Sequence, residues 1–474
     1  MILYDAVNIK VGSEQVIEVR AGTELVWPLS FPGFWTFDIP TSGTEIQLLP
    51  QFTGSVQIDW GDGDTDVLTN DVAINHIYGQ MPIKWTITQL GQDIDGEAAN
   101  DESGYSVSIN AIGNRVAIGA WGNGDWSGHV RIYEYSNGTW TQLGLDIDGE
   151  VEGDLSGYSV SMNTAGDRVA IGAIGNGDFS GHTRIYEYIN GTWTQLGQDI
   201  DGEGVNDQSG SSVSINAAGD RVAIGARFND DNGYSAGHTR IYKFDGINWI
   251  QLGQDIDGEA VDDRSGHSVS MNAAGDRVAI GALLNDGNGD NSGHTRVYEY
   301  TVSTQAWTQL GDDIDGEAAN DWSGFSVSMN ATGDRVAIGA RLNDGSDINS
   351  GHTRIYEYNG ANWTQLGQDI DGEAANDLSG YSVSMNDAGD RVAIGAINND
   401  GNGNSSGHTR IYEYSNGAWT QLGDDIDGEA VDDQSGRSVS MNDAGDRVAI
   451  GAVNNNGNGN SSGHTRIYEL DSNY

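Results

Sequence analysis

Cysteine is absent from the 474 residues, so no disulfide ties the chain and the redox compartment stays open. Proline is nearly absent. There are five, Pro28, Pro32, Pro40, Pro50 and Pro82, all before residue 84, and this composition shift marks a domain boundary. Basic residues are few, 22 against 70 acidic, for a net charge of −48. A nucleic-acid partner calls for a basic footprint, so that class is excluded. Insertion into or attachment to an anionic membrane is excluded with it. The charge fits a cation-rich, saline or extracellular setting that screens self-repulsion, or simply a soluble acidic surface. No run is long and apolar enough to cross a bilayer. Met1–Val7 has neither a basic n-region nor an apolar h-region, so no secretory signal is expected. A protein of this kind at work outside a cell leaves by another route or arrives on a virus particle. No helical period is sustained anywhere, which leaves an all-β chain.

What the chain does contain is one phrase, repeated. In its clearest copy it runs from Ser379 to Glu429: SGYSVSMNDAGDRVAIGAINNDGNGNSSGHTRIYEYSNGAWTQLGDDIDGE. The glycine of its Ser-Gly recurs at Gly104, Gly157, Gly210, Gly266, Gly324, Gly380 and Gly436, at spacings of 53 to 58 residues. Seven copies at that period indicate a propeller or a similar array. Each copy holds four strand-like runs: Tyr381–Met385, Arg391–Ala396, His408–Tyr414 and Trp419–Gly423. Turn residues separate them, and four antiparallel strands make one blade. The last copy lacks its WTQLG run, while Ile87–Gly91 supplies one in surplus before the first copy. That match calls for a closed seven-bladed ring, with the N-terminal strand completing the seventh blade and leaving no free edge.

The order S-x-S-V-S, turn, V-A-I-G-A, loop, G-H-T-R-I-Y-E-Y resembles the FG-GAP repeat of integrin-α-like propellers, over residues 85–474. Before it, Phe34–Phe37, the run IDWGDG ending at Gly63 and His76–Tyr78 resemble a PKD-like, immunoglobulin-like sandwich over 30–84. Residues 1–29 read as a small β-hairpin module, and the phrase IKVGSEQVIEVRAGTELVWP resembles short N-terminal modules of phage virion proteins. Whether residues 81–87 belong to the sandwich or to the propeller stays open.

The DIDGE segment begins at seven positions, and another Asp follows four residues after each Glu. The sets are Asp93, Asp95, Glu97 and Asp101; Asp146, Asp148, Glu150 and Asp154; Asp199, Asp201, Glu203 and Asp207; Asp255, Asp257, Glu259 and Asp263. The remaining three are Asp313, Asp315, Glu317 and Asp321; Asp369, Asp371, Glu373 and Asp377; and Asp425, Asp427, Glu429 and Asp433. Hard oxygen donors at positions 1, 3, 5 and 9 of a loop can wrap calcium, and integrin-like propellers carry calcium in loops of similar spacing. The other reading is an acidic turn whose carboxylates accept backbone N–H groups or meet the repeat arginines. Those arginines, two per copy, account for 14 of 19 and read as internal ion-pair partners. The seven GH[TV]R histidines read as structural. Equivalent positions on seven blades form a wide ring, which argues against zinc.

Recognition needs asymmetry, so positions that vary inside the uniform repeat are the candidates. They flank the Ser-Gly and follow IGA. Arg264, His267, Trp322, Phe325, Arg227, Arg341 and Arg437 carry the donors and aromatic faces that anchor ligands, with Asp321 as an acceptor beside them. Packing between blades is the other role open to them. No catalytic constellation is visible, and the sialidase turn S-x-D-x-G-x-x-W is missing. The expectation is a non-enzymatic binding or adhesion protein of a virion or an extracellular surface, a phage tail or fibre component. Its partners would be a host-cell surface glycan or protein receptor, and other virion proteins through the N-terminal modules. A bacterial surface adhesin, a structural decoration protein and a glycan hydrolase are the alternatives.

Overall fold

Seven Ser-Val-Ser runs become the innermost strands of seven blades. The computed structural model describes residues 84–473, with side chains from 85 to 471, and before them the backbone of eight strands between Ala6 and Ile77. In the sixth blade, for example, Ser379–Met385, Arg391–Ala396, His408–Ser415 and Ala418–Gln421 pair antiparallel in that order. The Val and Ile of each RVAIGA strand are at most 2% exposed. They pack against the neighbouring blade. One core cluster joins Val107, Ile109, Ile118 and Trp140 of the first blade to Ala449 and Ile467 of the seventh.

The third strand of each blade is covered by a broken outer strand. In the sixth blade Tyr412–Ser415 pair with Ala418–Gln421, while His408 and Thr409 pair with Asp427 and Ile426. The DIDGE segment is therefore not wholly a loop. Its Ile-Asp is a two-residue strand, and its Ile is buried in all seven copies.

The ring closes with N-terminal residues. The strand Lys84–Gln89 pairs with the strand His464–Asn473, and the Leu90 amide donates to the Ile467 carbonyl at 2.7 Å. Ile94 and Asp95 then pair with Thr465 and His464.

Each Ser-Val-Ser supplies two inter-blade hydrogen bonds. The Ser159 hydroxyl donates to the Gly210 carbonyl at 2.8 Å, and the Ser161 hydroxyl accepts the Ile215 amide at 3.0 Å. Both belts run round the ring, and both cross the closure: Ser438 to the Gly104 carbonyl, and the Ile109 amide to Ser440. A third set of bonds links the blades at the far end of the inner strands. There the amides of Ala111, Ala217, Ala273, Ala331, Asp387 and Asp443 each donate to the next blade's carbonyl.

Asp387 and Asp443 are neighbours in that third belt, where four other blades place Ala. Burial, with Asp387 alongside, pushes the Asp443 carboxyl up to about 6. A carboxyl raised on folding contributes stability below its ordinary range, and that contribution is lost as pH rises through 6. Asp443→Ala is therefore expected to stabilise the propeller at pH 8 by about 1 kcal/mol, after discounting for partial exposure. The gain should shrink as pH is lowered from 6 toward 5. Equal melting temperatures at pH 8 would refute the coupling.

The compact propeller unit spans Ile87–Asp471. The N-terminal unit is two four-stranded antiparallel sheets. One has the order Phe34–Asp38, Ala6–Lys10, Ser55–Asp59, Thr65–Thr69; the other has Glu24–Ser30, Val16–Ala21, Glu45–Pro50, Ile74–Ile77. The sequence suggested separate modules at 1–29 and 30–84. Instead strands from both stretches share both sheets, because an isolated hairpin cannot bury its apolar face and is marginal alone.

Candidate functional site

In six of the seven blades a β-bulge opens the inner strand toward the ring's centre. In the second blade Ser156 pairs with Ala173 and Ser159 with Gly172, which leaves Gly157 and Tyr158 out of register. Gly157 has φ +86°, and a Cβ there would sit 2.6 Å from the His129 carbonyl oxygen and 3.1 Å from the Gly119 Cα. Only glycine fits. The residue before each Ser-Gly also has positive φ, including Leu155, Arg264, Trp322 and Leu378 at 56–59°. Bulky residues rarely hold this conformation, and such strain gathers at ligand sites.

These bulges surround one end of the central axis. There lies an open cavity of about 420 Å³. All seven sequence candidates line it: Arg227, Arg264, His267, Trp322, Phe325, Arg341 and Arg437. Tyr105, Tyr158, Ser211, Leu283 and Tyr381 complete the wall. Not every varying position faces ligand space. Ile174, Ile397 and Val453, which follow IGA, are at most 6% exposed and pack inside.

Aromatic rings and cations alternate around this wall. The guanidinium carbon of Arg341 lies 4.1 Å from the Phe325 ring centre, 4.8 Å from Trp322 and 5.2 Å from Tyr381. Arg437 lies 4.3 Å from Tyr105 and 4.8 Å from Tyr381. Phe325 bridges His267 and Tyr381, with ring centres at 4.8 and 4.9 Å. His267 Nδ1 and the Nε atoms of Arg264 and Arg341 are shielded and have no hydrogen-bond partner. Burial, then Arg227 and the other three arginines, holds the His267 imidazole well below its usual range, so it is neutral at pH 7. Burial, then Arg437, lowers the Arg341 guanidinium to about 10.

The acidic segments are arranged differently. Position 9 of each, from Asp101 to Asp433, is buried at 0–4% exposure and accepts backbone N–H from its own turn, as Asp101 does from Glu97 and Ala98 at 3.0 and 2.7 Å. Asp321 likewise accepts from Ala318 and Asn343, so it is not the ligand acceptor suggested by sequence. Position 1 accepts from the Gln four residues before it, such as Gln195 to Asp199 at 2.6 Å. Position 3 is exposed. Position 5 meets the repeat arginine of the next strand, as Glu203 meets Arg240 at 3.3 Å. Three of the four carboxylates of one segment thus have separate partners, and the fourth faces solvent.

What converges instead is the position-5 Glu, the buried repeat histidine and the position-1 Asp of the following segment. Glu97, His129 and Asp146 form one such group, and Glu203, His238 and Asp255 with Asp231 form another. Each includes an imidazole nitrogen, whereas calcium takes oxygen donors. Sequence reading missed this grouping because Glu, His and Asp come from three different strands and segments. It also missed Asp387 and Asp443, whose only signal is a departure from Ala in one turn position.

No family model and no curated protein matches the chain.

Proposed function

We propose that this protein is a non-enzymatic binding or adhesion protein whose axial cavity receives a host-cell surface ligand, a glycan in preference to a protein receptor. It serves as a phage virion component of the tail or fibre class, with the N-terminal unit attaching it to other virion proteins. Its repeat is of the FG-GAP, integrin-α-like kind. One observation carries the ligand reading: the positions at which near-identical blades differ meet in a single cavity. Its volume falls in the roughly 300–1,000 Å³ range of small-ligand sites. Phe325, Trp322 and the tyrosines offer flat faces to the C–H side of a sugar ring, and the arginines offer donors to its hydroxyls.

Trp322→Ala combined with Arg264→Ala is expected to reduce cell or glycan binding at least tenfold. Circular dichroism and the melting temperature should stay close to those of the parent. Unchanged binding would remove the cavity from the reading. The virion assignment is tested separately, by co-purification with virus particles.

A further inference from the structure

Almost every arginine of the propeller has an acidic partner or a carbonyl built into the repeat. From residue 85 on there are 18 arginines, and 14 belong to the two repeated positions. At the first, guanidinium–Glu distances are 2.6–2.8 Å in six blades. At the second, the guanidinium reaches the position-5 Glu at 3.3–3.7 Å and also donates to a backbone carbonyl, as Arg240 does to Asp201.

The other four are Arg227, Arg264, Arg341 and Arg437, and all four line the axial cavity. Among the described residues none of them forms an ion pair. Arg227 donates to the neutral Gln208 side chain at 2.8 Å. Glu102 acts on Arg437 from a distance, its carboxylate held by the Trp121 indole N–H at 2.8 Å. In a chain of net charge −48, four cations gathered at one mouth, with carboxylates only at a distance (Glu102 from Arg437, Asp262 from Arg264), are not a by-product of composition. Stacking on Phe325, Tyr381 and Tyr105 holds the guanidinium planes in place and leaves their charge unneutralised.

We propose that the cavity takes an acidic saccharide, a pyranose bearing a carboxylate or a sulfate, with its anion seated among Arg227, Arg264, Arg341 and Arg437 and its ring against the aromatic wall. This rests on the reading of the cavity as a glycan site. Guanidinium is the group suited to planar, bidentate capture of such anions.

The test is an array of matched oligosaccharides probed with the full chain: uronate- and sialate-bearing members, sulfated members, and their neutral parents. Acidic members are expected to bind at least tenfold more tightly than their parents, and less tightly as sodium chloride rises. The carboxylated and sulfated arms identify the anion. Equal binding of neutral parents overturns the acidic assignment and leaves the glycan reading standing. Binding to no member overturns both. Arg341→Met and Arg437→Met should each remove the acidic preference while raising the melting temperature, since each deletes an unpaired, partly buried cation. Arg277→Met, which breaks the pair with Glu299, should lower the melting temperature and leave binding unchanged. A fall in melting temperature for Arg341→Met would mean that this arginine is structural, and would overturn the proposal.

Discussion

A chain that begins at residue 97 is expected to unfold far more readily than one that begins at residue 84. The thirteen residues between carry the outer edge of the seventh blade. Leu90 and Ile94 are 9% and 3% exposed and belong to the core shared by the seventh and first blades. Burying such side chains is worth about 1.5–3 kcal/mol each, so their loss removes roughly 5 kcal/mol. Bonds across the closure go with them. The Trp140 indole loses its acceptor at the Leu90 carbonyl, Arg131 loses the Asp95 carbonyl, and the Ile467 carbonyl loses the Leu90 amide. The strand from His464 would then present an open edge, which invites association. Thermal melting and size-exclusion of the two chains decide the matter. Leu90→Ala with Ile94→Ala in the full chain should reproduce much of the loss. Equal melting temperatures for the two truncations would show that the ring does not depend on this closure.

The second large effect is acid sensitivity. Seven repeat histidines are buried at 1% exposure beside carboxylates. Burial, then the neighbouring arginine, lowers all of them, and His238, His294, His352, His408 and His464 fall to about 4. In the unfolded chain a histidine takes up its proton near 6.5. Between pH 6.5 and 4 the unfolded state therefore holds more protons. The stability these groups contribute is complete above 6.5 and is lost as pH falls through 4. Each is worth up to about 3 kcal/mol, so five or more titrating together outweigh the usual net stability of a domain, about 5–15 kcal/mol. The facing acids oppose this in part. Glu203, Glu259, Glu317, Glu373 and Glu429 are raised by burial, so they favour the folded state as they protonate. The expected result is a melting temperature that is level above pH 7, falls steeply below 6.5 and is lost before pH 4. His352→Gln should flatten the profile by its share. A profile level from pH 7 to 4.5 would mean that the histidines protonate inside the fold.

Blade number, strand order and ring closure were legible in the sequence. Each depends on short-range signals: alternation in Tyr381–Met385, turn residues at Asn386–Asp390, and a count of WTQLG runs at the two ends. The repeated Arg and the acidic segments were legible as partners, but not the pairing itself. Asp321 looked free to meet a ligand, yet its turn folds back so that the Ala318 amide and the Asn343 side chain take it up. The two serines of each inner strand bridge the blades, a role that alternation in the sequence does not reveal.

By itself, then, the sequence determined a closed all-β ring without disulfides, because local periodicity and repeat arithmetic suffice for that. The tertiary structure alone decided what the varying residues do. Arg227 and Arg437 are 210 positions apart, and Tyr105 and Arg437 sit on blades that the closure makes neighbours. The bulges at six of the Ser-Gly positions and the radial order of the strands bring them to one axis. Convergence of that kind is a property of the closed ring, and no window of sequence contains it.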